Sequence, residues 1–200
     1  MERTKQNSNT FNVLACDPSI TAWGWAVLDQ KSKILDCGCI KTASNHKKLR
    51  IRKGDDSISR ITVLVESLLS VIKTYNIKFI VSELPHGSQS AVAADAIGIV
   101  KGIMQTISIC SGIGIEWYSE GDSKKALLGK LSGEKIETIW AIDKLYKVPI
   151  RGNVKKGPKG NIIAIWSGSS YIDEAVADSL SIHYTASLVS PVLKAMQTMK

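Results

Sequence analysis

Five acidic residues, Asp17, Glu83, Asp173, Glu174 and Asp178, stand in contexts unlike the rest of this chain. Asp17 and Glu83 each close an apolar run, where a carboxylate is costly to bury unless it is paired or bound to a cation. Glu174 and Asp178 are four apart on an expected helix, which sets both on one face. Four acids converging from two strands and a helix would make an all-oxygen site suited to magnesium, which prefers octahedral oxygen coordination and keeps several waters. That site suits phosphodiester hydrolysis, in which two ions about 4 Å apart hold the attacking water and stabilise the leaving oxygen. Acids at strand ends are also common as turn formers and helix caps, and Asp173 could be no more than an N-cap.

The elements that must carry these acids follow from the hydrophobic pattern. Phe11 to Asp17 reads as a strand, Trp23 to Asp29 as a second, and Ile34 to Ile40 as a third that completes an antiparallel meander. The polar stretch from Ala43 to Asp56 carries Lys47, Lys48, Arg50, Arg52 and Lys53 and reads as an exposed basic loop or a merely solvated surface. Ile58, Ile61, Val65, Leu68, Leu69 and Ile72 recur at helical spacing after Asp55, Asp56 and Ser57, any of which could cap the start. Lys78 to Ser82 reads as a buried strand delivering Glu83, and Ala91 to Cys110 as a long small-residue helix packed on the sheet. Ile113 to Tyr118 supplies a further strand, Ser123 to Leu145 one or two helices, and Tyr171 to Leu188 a terminal helix. Val148 to Ser170, rich in glycine and lysine, reads as an insertion. The alternation is that of an α/β domain.

Two hundred residues, 44% hydrophobic and 22% charged, describe one domain with room for a proper core and none for a second large domain. A formal charge of +8 favours a polyanionic partner, nucleic acid first, because lysine and arginine that neutralise phosphates release condensed counterions. Cys16, Cys37, Cys39 and Cys110 form no C-x-x-C pair, so neither a zinc site nor a disulfide framework is expected. The polar segment Met1 to Thr10 lacks the apolar core of a signal peptide, and no segment reads as apolar for long enough to span a bilayer. A cytoplasmic location, bacterial or in the host cell of a virus, is the expectation.

The run Asp17-Pro18-Ser19-Ile20-Thr21-Ala22-Trp23-Gly24-Trp25 resembles the first motif of the RuvC family of Holliday-junction resolvases. Further segments agree in order: Cys37 to Thr42 with that family's third strand, Ile80-Val81-Ser82-Glu83 with the strand of its second acid, and Ser90-Ala91 through Gly98 to Lys101-Gly102 without a gap. Lys124 to Gly129 and Gly133-Glu134-Lys135 resemble its two-lysine segment, and Ala177-Asp178-Ser179-Leu180 its terminal acidic motif. The resemblance implies an RNase H-like fold, a mixed five-stranded sheet flanked by helices, with the nuclease domain over 11–188, a disordered segment at 1–10 and a tail at 189–200. It implies a homodimer that embraces branched DNA, above all four-way junctions, and makes paired incisions. It carries over Asp17, Glu83 and Asp178 as acids holding two magnesium ions, with manganese as a substitute, and Glu174, or Asp173 beside it, is expected as the fourth. It carries over Lys124 and Lys135 as cations near the scissile phosphate, with His86, Lys101 and Lys125 beside them as DNA contacts.

Three departures bear on substrate preference. Ala175 stands where the family has an Asp or His three residues before the final acid, leaving Glu174 one position earlier as the substitute. His86 stands where an aromatic wedge often stacks on unpaired bases, a role histidine can also fill, though it could be an ordinary loop residue. Ser19 replaces the commoner glycine of the first motif, and the loops at 43–56 and 148–170 are longer than usual. Trp23 and Trp25 read as packing residues, Trp117, Trp140 and Trp166 as core or interface, and His46 and His183 as ordinary. Lys155, Lys156 and Lys159 could contact phosphates. Beside the resolvase stand a broader fork or flap nuclease, a phosphotransferase for which the chain is too short, and a junction-binding module without chemistry.

Overall fold

The computed structural model describes residues 11–88, 90–146, 155–156, 162–164 and 174–198. Its centre is a five-stranded sheet of β1 (Asn12–Asp17), β2 (Ala22–Leu28), β3 (Ile34–Lys41), β4 (Ile77–Glu83) and β5 (Gly114–Tyr118), ordered β3-β2-β1-β4-β5. β1, β2 and β3 form the antiparallel meander, while β4 and β5 add parallel to β1. A parallel addition requires a crossover, supplied by α2 (Lys53–Thr74) between β3 and β4 and by α3 (Ala91–Ser111) between β4 and β5. The short α1 (His46–Leu49) precedes α2; α4 (Glu120–Leu128), α5 (Lys135–Tyr146), α6 (Glu174–Val189) and α7 (Pro191–Thr198) follow β5. Lys155–Lys156 (β6) and Ile162–Ala164 (β7) pair as a separate antiparallel ladder.

Strand alternation divides the interior into two layers. Val13 and Ala15 of β1, Ala26 and Leu28 of β2, and Phe79 and Val81 of β4 pack against Ile142 of α5, Val176, Leu180, Ile182 and Ala186 of α6, and Leu193 of α7. Leu14, Cys16, Trp23, Val27 and Ile80 pack on the other side against Leu64 and Leu68 of α2 and Val100, Ile103, Met104 and Ile107 of α3. Both faces of β1 and β4 are covered, which is why those segments read as continuous apolar runs. Asp17 and Glu83 continue the register of Val13-Ala15 and Phe79-Val81, so both carboxylates belong to the α6 face.

Several expectations change. α2 starts at Lys53, with Arg52 as its N-cap and no side-chain cap bond, so Asp55, Asp56 and Ser57 lie inside the first turns. Its stripe centres on Leu64 and Leu68, leaving Ile58 and Leu69 exposed at the rim. The expected basic loop holds α1 and the start of α2. Trp140 is 58% exposed and is not core. The expected tail contains α7, started by Ser190, whose Oγ accepts from Leu193 N at 3.0 Å, with Leu193 buried in the core. α3 is long and apolar enough to cross a membrane by length and composition, contrary to expectation, because Asp95 and Lys101 are its only charges; its buried residues line the sheet. Asp173, Lys159, Trp166 and most of 148–170 lie outside the described residues, as do 1–10.

Candidate active site

The geometry of the candidate site begins in the sheet register. Cys16 pairs with Ser82 across the parallel β1–β4 ladder, so the next residues, Asp17 and Glu83, stand side by side at the carboxyl ends of two central strands. Strand spacing separates their backbones by about 5 Å. Beyond β4 lies β5, whose Tyr118 carbonyl accepts from Leu84 N at 2.7 Å and holds the chain straight as it leaves Glu83.

α6 brings the remaining acids over this end. Its small residues Ala175, Ala177, Ser179 and Ser181 are buried, and the helix is enclosed on several sides by β1, β2, α4 and α5. The contact with β2 is made at Gly24, the residue paired with Asp17 across β1–β2. A Cβ on Gly24 would lie 1.9 Å from the Ala175 carbonyl oxygen, so only glycine lets α6 descend this far. Glu174 stands in the first turn of α6, where exposed amides favour a carboxylate, and Asp178 follows one turn on.

A pocket forms between α4, α5, α6 and the end of β4, lined by Glu83, Glu120, Ser123, Lys124, Leu127, Thr138, Asp178 and Ser181. Asp178 is pushed up to about 7, first by burial, then by the charges of Glu174 and Glu83, against a smaller opposing pull from Lys135. Glu83 is raised too, by burial and then Glu120, while His86 and Lys124 favour its ionised form. These mutual shifts are a signature of like charges gathered in one place with too few counter-ions.

Two lysines answer part of that charge. Lys124 of α4 pairs with Glu120 one turn earlier, and Lys135 at the start of α5 pairs with Glu174. Both sequence-expected lysines are thus brought to the acids. Lys125 is exposed on α4, His86 is exposed in the loop after β4, and Lys101 is half-buried on α3, across the sheet from α6 and away from the pocket.

Glu120 is the residue that sequence reasoning missed. It sits in a first turn opened by the Ser119–Asp122 capping box, four residues before Lys124. An acid there passes for ordinary helix-start chemistry, though the same four-residue spacing that singled out Glu174 and Asp178 would have linked it to Lys124. Among the described residues no three His, Cys, Asp or Glu side chains already form a ligating set. The donor chemistry nonetheless fits a hard divalent cation: Asp17, Glu83, Glu120, Glu174 and Asp178 are all oxygen donors, five acids against two lysines. His183, expected to be ordinary, is wholly buried on α6, its Nδ1 2.8 Å from the Tyr146 hydroxyl, and burial pushes it down to about 4.

Fold and pocket together define the class: an RNase H-like α/β protein whose carboxylates collect where two parallel strands meet a C-terminal helix. Within that class the chain belongs to the family of the crossover junction endodeoxyribonuclease RuvC, whose model matches residues 13–156. Relatives of that name include one from Rhizobium leguminosarum bv. trifolii, 27% identical over 128 residues that cover 64% of this chain and 72% of the relative. Another, from Nitratidesulfovibrio vulgaris, is 24% identical over 142 residues, covering 70% and 80%. Among solved structures, T. thermophilus RuvC in complex with a Holliday junction substrate superposes with a TM-score of 0.62 at 18% identity, covering 88% of this chain and 93% of that one. The yeast mitochondrial Holliday junction resolvase gives 0.57 at 10% identity, covering 94% and 80%. At these identities the structural likeness is one of fold.

Proposed function

We propose that this protein is a structure-selective DNA endonuclease that resolves four-way junctions by paired phosphodiester hydrolysis, working in the cytoplasm as a homodimer. The observation that carries this reading is the crowding of Glu83, Glu120 and Asp178 in one pocket, with the Asp178 carboxyl raised to about 7 by burial first and then by its acidic neighbours. The family membership and the relatives' names support the same substrate, and the net charge of +8 suits a phosphate backbone.

In this reading Asp17, Glu83, Glu174 and Asp178 hold magnesium or manganese, two ions per site. Bound metal would supply an activated water and stabilise the leaving oxygen. Lys124 and Lys135 exchange their acid partners for phosphate oxygens and neutralise developing charge. His86 contacts bases at the crossover, and Lys125 and Lys101 contact DNA outside the pocket. The homodimer is supported by the first turn of α3, where Ala91, Val92, Ala93 and Ala94 are all exposed and Val92 is 68% so. A stretch of that composition is costly to leave in water.

The test is cleavage of end-labelled four-way junction, fork, flap and linear duplex DNA with magnesium, with manganese and with chelator, beside an Asp17→Asn control. Symmetric, metal-dependent nicking of the junction, lost in the control with binding retained, is expected. Equal cutting of forks and flaps would favour the broader branch nuclease, a reading that the histidine in place of an aromatic wedge encourages. Cleavage surviving in Asp17→Asn would refute the catalytic assignment. Lys124→Ala should lower the cleavage rate by roughly ten- to a hundredfold while leaving junction affinity within a few-fold. Equal losses in single-turnover rate and affinity would reduce Lys124 to a backbone anchor.

A further inference from the structure

The segment between β3 and α2 is built as an arm. β2 is antiparallel to both β1 and β3, so β3 runs with β1 and releases Thr42 at the same end of the sheet as Asp17 and Glu83. Two strand spacings, about 10 Å, separate it from the strand of Asp17. That is about three base pairs along a duplex at 3.4 Å per phosphate on each strand.

Its base is tied to the turn that follows Asp17. Thr42 N donates to the Thr21 carbonyl at 3.0 Å, and the Thr42 hydroxyl donates to the Ile20 carbonyl. Arg60 of α2 clamps the same place, Nε donating to Thr42 Oγ1 at 2.9 Å and Nη2 to the Ile20 carbonyl at 3.3 Å. Asp56, only 5% exposed, accepts from Ser44 Oγ and from Asn45 N, each at 2.8 Å. A buried carboxylate that gathers the start of the segment is a device that a merely solvated loop does not need.

What the arm presents is cationic. Lys47, Lys48, Arg50, Arg52 and Lys53 are all exposed. Arg52 is engaged by Asp55 at 2.7 and 2.8 Å, while Lys47, Lys48, Arg50 and Lys53 have no acidic partner among the described residues. α1 closes with Arg50 in the left-handed region at φ 53, which folds the chain back so that Ile51 N donates to the His46 carbonyl at 3.1 Å.

We propose that the 42–53 arm is a second, sequence-independent DNA surface, fixed by Asp56, that grips the phosphate backbone of the duplex arm flanking the cut strand. This rests on the nuclease reading above. The polar tie to the turn after Asp17 keeps the arm in register with the acids, so the arm sets where along the duplex the cut falls as well as how tightly DNA is held.

The experiment measures junction affinity in chelator across salt concentrations for the full chain, a Lys47→Ala/Lys48→Ala/Arg50→Ala triple variant, Asp56→Asn and Ser44→Ala. The triple variant should flatten the salt slope by about two to three, at roughly 0.9 per phosphate contact, and lower affinity at least tenfold. Asp56→Asn raises net charge by one, so unstructured attraction predicts tighter binding; a fixed arm predicts binding several-fold weaker. Ser44→Ala, which leaves charge unchanged, should shift affinity in the same direction and decides the matter if Asp56→Asn does not fold by thermal melting. An unchanged slope in the triple variant, or tighter binding by Asp56→Asn, overturns the arm. A parent chain that neither binds nor cuts the junction overturns the nuclease reading instead.

Discussion

Asp178→Asn is expected to melt higher than the parent protein above pH 7 in chelator, and to cut DNA at least roughly a thousandfold more slowly, about 4 kcal/mol in the barrier. The parent carries a carboxyl raised from 3.8 to about 7 by burial and by Glu174 and Glu83. Because the folded value exceeds the unfolded one, the associated stability is fully present below about pH 4 and is lost as pH rises through 7. Three units correspond to on the order of 4 kcal/mol, an upper bound because Asp178 keeps some contact with water at the pocket mouth. Asparagine removes that cost along with the ligand, a trade of stability against function. Divalent metal should raise the parent's melting temperature more than the variant's. An unchanged or lower melting temperature for Asp178→Asn at pH 8 would mean that the acids do not strain the fold.

The same variant should also uncover a hidden slope. His183 falls from 6.5 to about 4 because burial disfavours its charge. Its folded value lies below the unfolded one, so its stability is present above pH 6.5 and lost as pH falls toward 4. Asp178 and His183 therefore act in overlapping windows with opposite sign, and in the metal-free parent their two contributions oppose each other between pH 4 and 7. Asp178→Asn removes the opposing contribution, so relative to the parent it should lose stability as pH falls from 7 to 4, by about 3 kcal/mol at most from His183, read by denaturant titration at each pH.

Gly24→Ala is expected to destabilise the fold by about 3 kcal/mol or more and to depress cleavage further than the lost stability accounts for. The new methyl would meet the Ala175 carbonyl carbon at 2.2 Å as well as its oxygen, and neither side can rotate away, because the backbone fixes the position of a Cβ and the carbonyl is itself backbone. The strain must be relieved by lifting α6 from β2, and α6 carries Glu174 and Asp178. Gly98→Ala, on α3 with open space around the new methyl, is the comparison and should be neutral or stabilise by up to about 1 kcal/mol. A Gly24→Ala protein within about 0.5 kcal/mol of the parent would show that the close approach is dispensable.

The sheet and the acids at its centre were legible because burial on two faces leaves an apolar run, and a carboxylate ending such a run stands out. Asp56 was misleading for a tertiary reason: within its own window it resembles a helix cap, whereas its oxygens serve Ser44 and Asn45 about a dozen residues back. Ser190-Pro191 at the head of α7 is a readable start signal inside the segment expected as a tail. Of the two readings for Trp140, core or interface, the core one falls, since its helix turns that face outward. His183 could not be distinguished from a surface histidine until Tyr146, 37 residues earlier, was found beside it.

The acids arrive from β1, β4 and α6, far apart along the chain. During translation Asp17 and Glu83 emerge well before the helix that covers them and supplies Glu174 and Asp178. A growing chain that has not reached α6 holds Asp17, Glu83 and Glu120 and has no lid over them. Completion of the site is thus tied to the docking of α6 on β1 and β2, and a sheet formed without that helix is an unfinished tool.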